Sequence, residues 1–273
     1  MQPALYIIST PIGNLKDITY RAVETLKEVD VIACEDTRVS HKLLSHYGIS
    51  KKLMVYNDHS KDIERQKIID LINSGKSIGL ITDAGTPLIS DPGFRLVAEC
   101  YKNNIRVFPI PGASSAIAAL TVSGLPSDSF YFAGFLPQKQ KARQDKLREL
   151  KKINTTLVFF ESPNRAGDFF ADALEVFSNK PASLVREITK LYEEVKFSDL
   201  KTLAEQYKDK EVKGEIVILI DNNQIVEPKL SEEELTKKLK ELKNKFKVKE
   251  AAQIAAETLG LSKNDAYERL IAL

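Results

Sequence analysis

Cysteine is scarce in this sequence. Cys34 and Cys100 lie far apart and stand in no metal-ligand spacing; both read as buried free thiols, and no metal is expected. Histidine is nearly as scarce. His41 and His46 fall on an expected helix as surface or packing residues, which leaves His59, in a strand-end loop, as the histidine placed to touch a substrate. No apolar run approaches the ~20 residues that span a bilayer. The opening stretch MQPALYIISTPIGN lacks a basic n-region and patterns as a strand rather than a signal peptide, so the chain is expected to stay in the cytoplasm, with no membrane partner. Excess charge is missing too. A net charge of +2 announces no global basic field, so any contact with RNA must come from a local patch. There is no G-x-S-x-G nucleophile elbow, no Cys–His pair at a known spacing and no Lys-Ser/Thr ending of a P-loop. Covalent and metal-assisted mechanisms lose ground accordingly.

What is present is a chain of 273 residues, 43% hydrophobic and 29% charged, with room for two domains that each have a core. The stretch GLITDAGTPLISDPG, Gly79 to Gly93, is the one around which the rest is organised. Ile78 to Ile81 has the length and branching of a buried strand, and Asp83 opens a loop rich in Gly, Pro and Asp. Two aspartates, Asp83 and Asp91, would repel a phosphate, so a ligand with hydroxyls and positive charge suits this loop better than a nucleotide polyphosphate. The competing reading is a tight turn shaped by its Gly and Pro alone.

Taken in order, the first half alternates strand and helix about five times, the pattern of a parallel sheet covered by helices. Strands are expected at Leu5–Ile8, Asp30–Cys34, Leu53–Tyr56, Ile78–Ile81 and Arg106–Ile110, and Asp17 is expected to cap a helix that begins at Ile18. Pro109-Ile110-Pro111-Gly112 reads as a seam, after which Ala113 to Val122 forms a helix of small residues with Ser114 and Ser115 at its amino end. That helix suits either tight packing or ligand contact. A second α/β unit follows. It has an aromatic strand Phe130–Phe135, a basic loop Gln138–Arg143, helices Ala142–Ile153 and Ala166–Phe177, and strands Thr156–Phe160, Ser183–Ile188, Glu193–Phe197 and Glu215–Ile220 in a mixed sheet. Asp221 to Pro228 is a polar linker. The tail reads as helices with a Lys-rich face and a helix-turn-helix at its end, where Gly260 terminates one helix and Ser262 caps the next.

Four polar clusters fall at strand ends: Thr10–Asn14, Glu35–Arg38, Asp83–Asp91 and Glu161–Arg165. Parallel strands bring such ends to one edge, so a ligand cleft between two α/β units explains the four together better than four separate turns. An Asp36–Arg38 pair that only braces its loop stays open as an alternative to a catalytic role.

The runs TPIGNLKDIT, ACEDTR, TDAGTPLISDPG, PGASSA, SGLPSDSFYFAGFLP, ESPNR, REITKLYEE and KGEIVILI resemble the RsmI family of ribosomal RNA methyltransferases, in order and over nearly the whole chain. Thr82 stands where Ser is common and Ile188 where Leu is common. The resemblance implies an α/β fold of two domains of the tetrapyrrole-methylase type, residues 1–111 and 112–224, with the cofactor cleft between them and a helical extension over 228–273. It implies an enzyme that methylates the ribose 2′-hydroxyl of cytidine 1402, in the decoding centre of 16S rRNA, using S-adenosyl-L-methionine. The small ribosomal subunit would be its partner and a homodimer its form, with an edge such as Phe130–Phe135 between copies. By the same resemblance the cofactor touches Pro11, Ile12, Asp83, Thr86, Ile89, Ser115, Ala116, Glu161 and Ser162, and also Glu187 and Glu215. Glu35, Asp36 and Asp91 are the candidate bases, and Asn14, Arg38, His59, Arg165 and Lys190 the candidate contacts to RNA. Two other functions compete: a methylase of the same class acting on a small tetrapyrrole-like acceptor, and a non-catalytic RNA-binding assembly factor that uses the tail.

Overall fold

Near-continuous apolar strands separated by amphipathic helices can bury themselves only in a sheet covered on both faces, and the first half folds that way. The computed structural model describes residues 1–57, 62–223, 232–259 and 261–273, the side chains of Glu233 and Glu257 excepted. His59, Gly260 and most of the expected linker before Pro228 lie outside the described residues. Residues 1–223 form one compact unit and residues 224–273 a second.

In the first unit, β1 (Ala4–Ile8), α1 (Tyr20–Glu28), β2 (Val31–Cys34), α2 (Thr37–His46), β3 (Lys52–Val55), α3 (Asp62–Asn73), β4 (Ser77–Leu80), α4 (Phe94–Lys102) and β5 (Val107–Ile110) alternate as expected. Every pairing in this sheet is parallel and its order is β3-β2-β4-β1-β5. Strand alternation splits the apolar residues between two cores. Ala4, Tyr6 and Ile8 of β1 pack with Ala22 and Leu26 of α1, whereas Leu5 packs with Ile68 and Ile69 of α3 and Leu96 of α4. All five carboxyl ends therefore share one edge. One local expectation fails: Asp17 does not cap α1. It lies in a 3₁₀ turn, Leu15–Asp17, that Asn14 caps, and the Thr19 side chain caps α1 by accepting from the Ala22 amide.

The second sheet is mixed. After α5 (Ser115–Val122) come β6 (Phe130–Phe135), α6 (Gln140–Leu150), β7 (Thr156–Glu161), α7 (Ala166–Phe177), β8 (Pro181–Arg186), β9 (Glu194–Asp199), α8 (Leu200–Tyr207) and β10 (Ile216–Asp221). Their order is β6-β7-β10-β8-β9, with β6 and β7 parallel and the other pairs antiparallel. One face carries α6, α7 and α8 on a core that includes Phe159, Phe169 and Phe170. On the other face Ala116, Ala119 and Leu120 of α5 pack with Val158, Val185 and Leu219. Ala116 and Ala119 of α5 thus serve tight packing, whereas Ser114 and Ser115 at its amino end line a cavity.

The basic loop expected over Gln138–Arg143 is mostly helix. Arg143 turns inward from α6 and its Nε donates to Asp172 Oδ2 of α7 at 2.6 Å, with the two side chains only 3% and 2% exposed. Gln140 and Gln144 donate to the other carboxylate oxygen, at 3.2 and 2.9 Å, and Arg143 also donates to the Gln138 carbonyl.

The second unit holds α9 (Glu232–Lys245), α10 (Val248–Leu259) and α11 (Lys263–Ala272). Leu235, Leu239, Ala251, Ala252, Ala255, Ala266 and Leu270 form its core. Ser262 caps α11 as expected, accepting from the Asp265 amide.

Candidate functional site

Three loops leave the carboxyl edge of the first sheet and are laced together by short polar side chains. After β1, Thr10 pairs with Gly85 through both backbone amides, at 2.8 and 3.2 Å, and its hydroxyl donates to the Thr82 carbonyl. Thr86 donates to the Ala113 carbonyl at 3.0 Å, so the 3.0 Å contact between Ser9 and Thr86 must use the Ser9 proton. The loop after β4 is thereby tied to β1 and to the seam before α5. It is also bent hard: Leu88 and Ser90 adopt φ of 75° and 62°, a conformation that costs non-glycine residues roughly 1–3 kcal/mol and gathers at functional sites.

The carboxylates on this edge differ in setting. Asp36 caps α2 and accepts from the Arg38 amide at 2.8 Å, while the guanidinium grips both its oxygens, the closest at 2.6 Å. Arg38 holds its carboxyl down to about 2, so the bracing pair foreseen as an alternative is formed. Asp83 accepts from the Asp36 amide at 3.3 Å, and burial pushes its carboxyl above the usual range. Between strands, the Thr82 hydroxyl lies 2.9 Å from Asp91 Oδ2 and 3.5 Å from Glu35 Oε2. Glu35 and Asp91 therefore flank one buried hydroxyl, although 56 positions separate them in the sequence.

A cavity of about 380 Å³ opens beside these loops. Ile12, Ala84, Gly85, Thr86, Ile89 and Asp91 line it from the first sheet, with Ser114 and Ser115 at the start of α5. Its opposite wall is formed by the second sheet at the edge of its contact with α5, where Phe135, Phe160, Val185, Ile188 and Val217 are apolar and Glu161, Ser162 and Glu215 polar. Glu161 is buried. Its Oε1 accepts from the Ser162 amide at 2.6 Å and from Arg165 Nε at 2.7 Å, whereas its Oε2 has no hydrogen-bond partner among the described residues. Burial raises the Glu161 carboxyl against the pull of those donors.

A smaller chamber of about 280 Å³ shares Ile12, Ala84 and Glu215 with the first and adds Pro11, Asp83 and Lys190. Lys190 donates to Glu187 at 2.8 Å and Glu215 at 2.9 Å. Its stem fills the space beside Gly13, where a Cβ would stand 2.5 Å from Lys190 Cγ. Glu187 and Thr189 repeat the positive φ seen across the cavity, at 50° and 67°.

Of the eleven residues expected to hold a cofactor, nine line one or both chambers; Ala116 packs just behind Ser115, and Glu187 lies one contact away through Lys190 and Glu215. The residues expected to contact RNA are scattered. Asn14 caps its own turn through the Lys16 amide, Arg38 points outward from Asp36, and Arg165 is occupied by Glu161 and the Leu136 carbonyl. The apolar wall from Phe135 to Val217 is not marked by any of the polar clusters at the strand ends. Its one sequence signal is the apolar residue directly preceding a polar strand end, as Phe160 precedes Glu161.

Residues 4–204 match the family model of tetrapyrrole (corrin/porphyrin) methylases, and residues 229–273 match that of the RsmI C-terminal HTH domain. Ribosomal RNA small subunit methyltransferase I of Mesorhizobium japonicum is 45% identical over 276 residues, covering 100% of this chain and 93% of the relative. The protein of the same name from Vibrio cholerae is 44% identical, covering 97% and 93%. In fold, the chain is similar to uroporphyrin-III C-methyltransferase from Thermus thermophilus complexed with S-adenyl homocysteine, with a TM-score of 0.57 at 20% identity over 80% of this chain and 96% of that one. It is also similar to a diphthine synthase, with a TM-score of 0.62 at 16% identity over 79% and 88%. The fold expected from the sequence is thus the fold observed, and the chain belongs to the tetrapyrrole methylase family and, within it, to the ribosomal RNA small subunit methyltransferase I family.

Proposed function

We propose that this chain transfers the methyl group of S-adenosyl-L-methionine to the ribose 2′-hydroxyl of cytidine 1402 in 16S rRNA. The observation that carries the reading is the main cavity, where the strained loop after β4 faces a buried, half-satisfied carboxylate across an apolar wall. Its residues fit the methyl donor. Phe135, Phe160, Val185 and Val217 offer a dry surface to a purine, the unpartnered Glu161 Oε2 awaits a donor group, and the ring of carboxylates favours a cationic ligand over a phosphate. When bound, that donor supplies an electrophilic methyl carbon on a sulfonium.

The chain's own work is orientation and proton removal. Pro11, Ile12, Asp83, Thr86, Ile89, Ser115 and Ala116 hold one side of the ligand, and Glu161, Ser162 and Glu215 the other, with Glu187 fixing Glu215 through Lys190. The cleft lies between halves that we divide at residues 111 and 112. Of the three candidate bases, Asp36 is the weakest, because its tie to Arg38 makes it a poor proton acceptor; Glu35 and Asp91 are better placed. The 30S subunit is the substrate partner, reached in the cytoplasm, and Arg38 and the lysines of α9 carry its phosphates, whereas Lys190 is committed to Glu187 and Glu215.

Incubation with labelled S-adenosylmethionine and unmodified 30S subunits or naked 16S rRNA, followed by digestion, is expected to place the label in 2′-O-methylcytidine. Bound cofactor with no label in either RNA would move a small-molecule methylase to first place. The working form is proposed to be a homodimer. On the second sheet, β9 exposes Val195 and Phe197 beside exposed Leu191 and Tyr192, an apolar edge that a second copy would cover. Light scattering should then report twice 30.6 kDa, and Phe197→Asp should return the mass of one chain. A monomeric wild type would end that part of the reading.

A further inference from the structure

Asp91 borders two cavities. One is the main chamber; the other, about 350 Å³, is also lined by Pro92 and Gly93 at the end of the loop after β4. Tyr56, Asn57 and Arg65 line it from the β3 side, and Phe94 and Arg95 from the start of α4. Its make-up differs from that of the main chamber. Among the described residues it has no patch of aliphatic side chains, and it joins the rings of Tyr56 and Phe94 to the guanidinium groups of Arg65 and Arg95 and the carboxylate of Asp91.

Two of these side chains are left exposed. Phe94 is 75% exposed, although it opens a helix whose Leu96 and Cys100 are fully buried. Arg95 is exposed and makes no ion pair or hydrogen bond among the described residues. Arg65, by contrast, is held by Asp62, and Tyr56 is buried in the core beneath β4. An exposed ring beside an uncommitted guanidinium, at the mouth of a polar pocket, is the combination that receives an unstacked nucleotide. The ring stacks on the base, the guanidinium meets a phosphate, and neither needs a duplex groove.

Building on the RNA-methylation reading, we propose that this second cavity is the acceptor subsite. A single-stranded pyrimidine nucleotide enters it with its base against Phe94, its phosphate on Arg95 and its ribose hydroxyl turned toward Asp91. Asp91 lines both cavities, so the ribose oxygen entering from one and the methyl carbon held in the other approach each other beside it; the oxygen takes the methyl in line, its proton passes to Asp91, and the sulfonium leaves as a neutral thioether. The third chamber is less suited to the nucleotide. Lys190 is committed to Glu187 and Glu215, and although Lys42 also lines this chamber, its walls hold no aromatic side chain among the described residues on which a base could stack.

The subsite is tested by steady-state methylation of unmodified 30S subunits with labelled S-adenosylmethionine, and by calorimetric titration of the same proteins with S-adenosylhomocysteine. Phe94→Ala and Arg95→Glu are expected to raise KM for 30S subunits at least tenfold and leave affinity for S-adenosylhomocysteine within twofold. Phe94→Tyr should keep the wild-type KM, since a phenol ring stacks as well as a phenyl. Arg95→Ala should also lower the slope of log affinity against log salt by about one, the loss of one phosphate contact. Phe94→Ala and Arg95→Glu enzymes with an unchanged KM would overturn the subsite while the RNA reading stands. A wild-type enzyme that binds S-adenosylhomocysteine yet labels no RNA would overturn both.

Discussion

Replacing Asp91 by Asn is expected to slow methyl transfer to 30S subunits by about two to four orders of magnitude, the usual contribution of a positioned general base. Affinity for the methyl donor should change less than about threefold, because the amide keeps the shape of the carboxylate and its contact with Thr82. Removing the carboxylate takes away the proton acceptor that faces both cavities. Asp36→Asn supplies the contrast. With its carboxyl held at about 2 by Arg38, Asp36 is a weak base, and its loss should cost less than about tenfold in turnover. Glu35→Gln should fall between the two, since Glu35 lies at the longer distance from the shared Thr82 hydroxyl. The quantities to compare are turnover numbers at saturating donor and the donor dissociation constants. An Asp91→Asn enzyme with a turnover near wild type would remove Asp91 as the base and bring Glu35 forward.

Replacing Arg143 by Met should be the most damaging single change to stability. It leaves the Asp172 carboxylate buried among helices with amide donors from Gln140 and Gln144 but no cation, a loss worth about 3–5 kcal/mol. For a unit of this size that corresponds to a fall in melting temperature of roughly 10 °C. Arg143→Met together with Asp172→Leu should recover most of the loss, because two apolar side chains can fill the site once neither charge remains. Thermal denaturation of the wild type, the single variant and the double variant decides this. A single variant that melts within 2 °C of wild type would mean that water reaches Asp172.

The same pair marks a limit of reading by pattern. Hydrophobic periodicity identifies buried faces by apolar residues, so a stretch such as Gln138 to Arg143, with no apolar residue at the inward positions, reads as a solvated loop. Its inward position is filled by an arginine whose partner lies 29 residues further on. Helix α8 (Leu200–Tyr207) leaves no clear period in the sequence for a related reason. At eight residues directly after β9, it offers too few turns for a period to emerge beside the strand pattern. The start of α1 shows a third case: Asp17 and Thr19 are both good caps, and the Asn14-capped turn decides between them by using Asp17 first.

The sequence by itself determined the two sheets, the parallel character of the first, the mixed character of the second and the placing of four polar clusters at strand ends. These follow from local properties, namely the branching and length of apolar runs, the helical spacing between them, and Gly, Pro and Asp where the chain must turn. Sheet order was decided only by tertiary structure. So were the joining of Glu35 and Asp91 at Thr82, the part of the second sheet that becomes a cavity wall, and the second chamber that Asp91 also lines. Each depends on which distant elements share a face, and that is set by the packing of whole helices on whole sheets, a sum of many weak contacts that no single stretch of sequence carries.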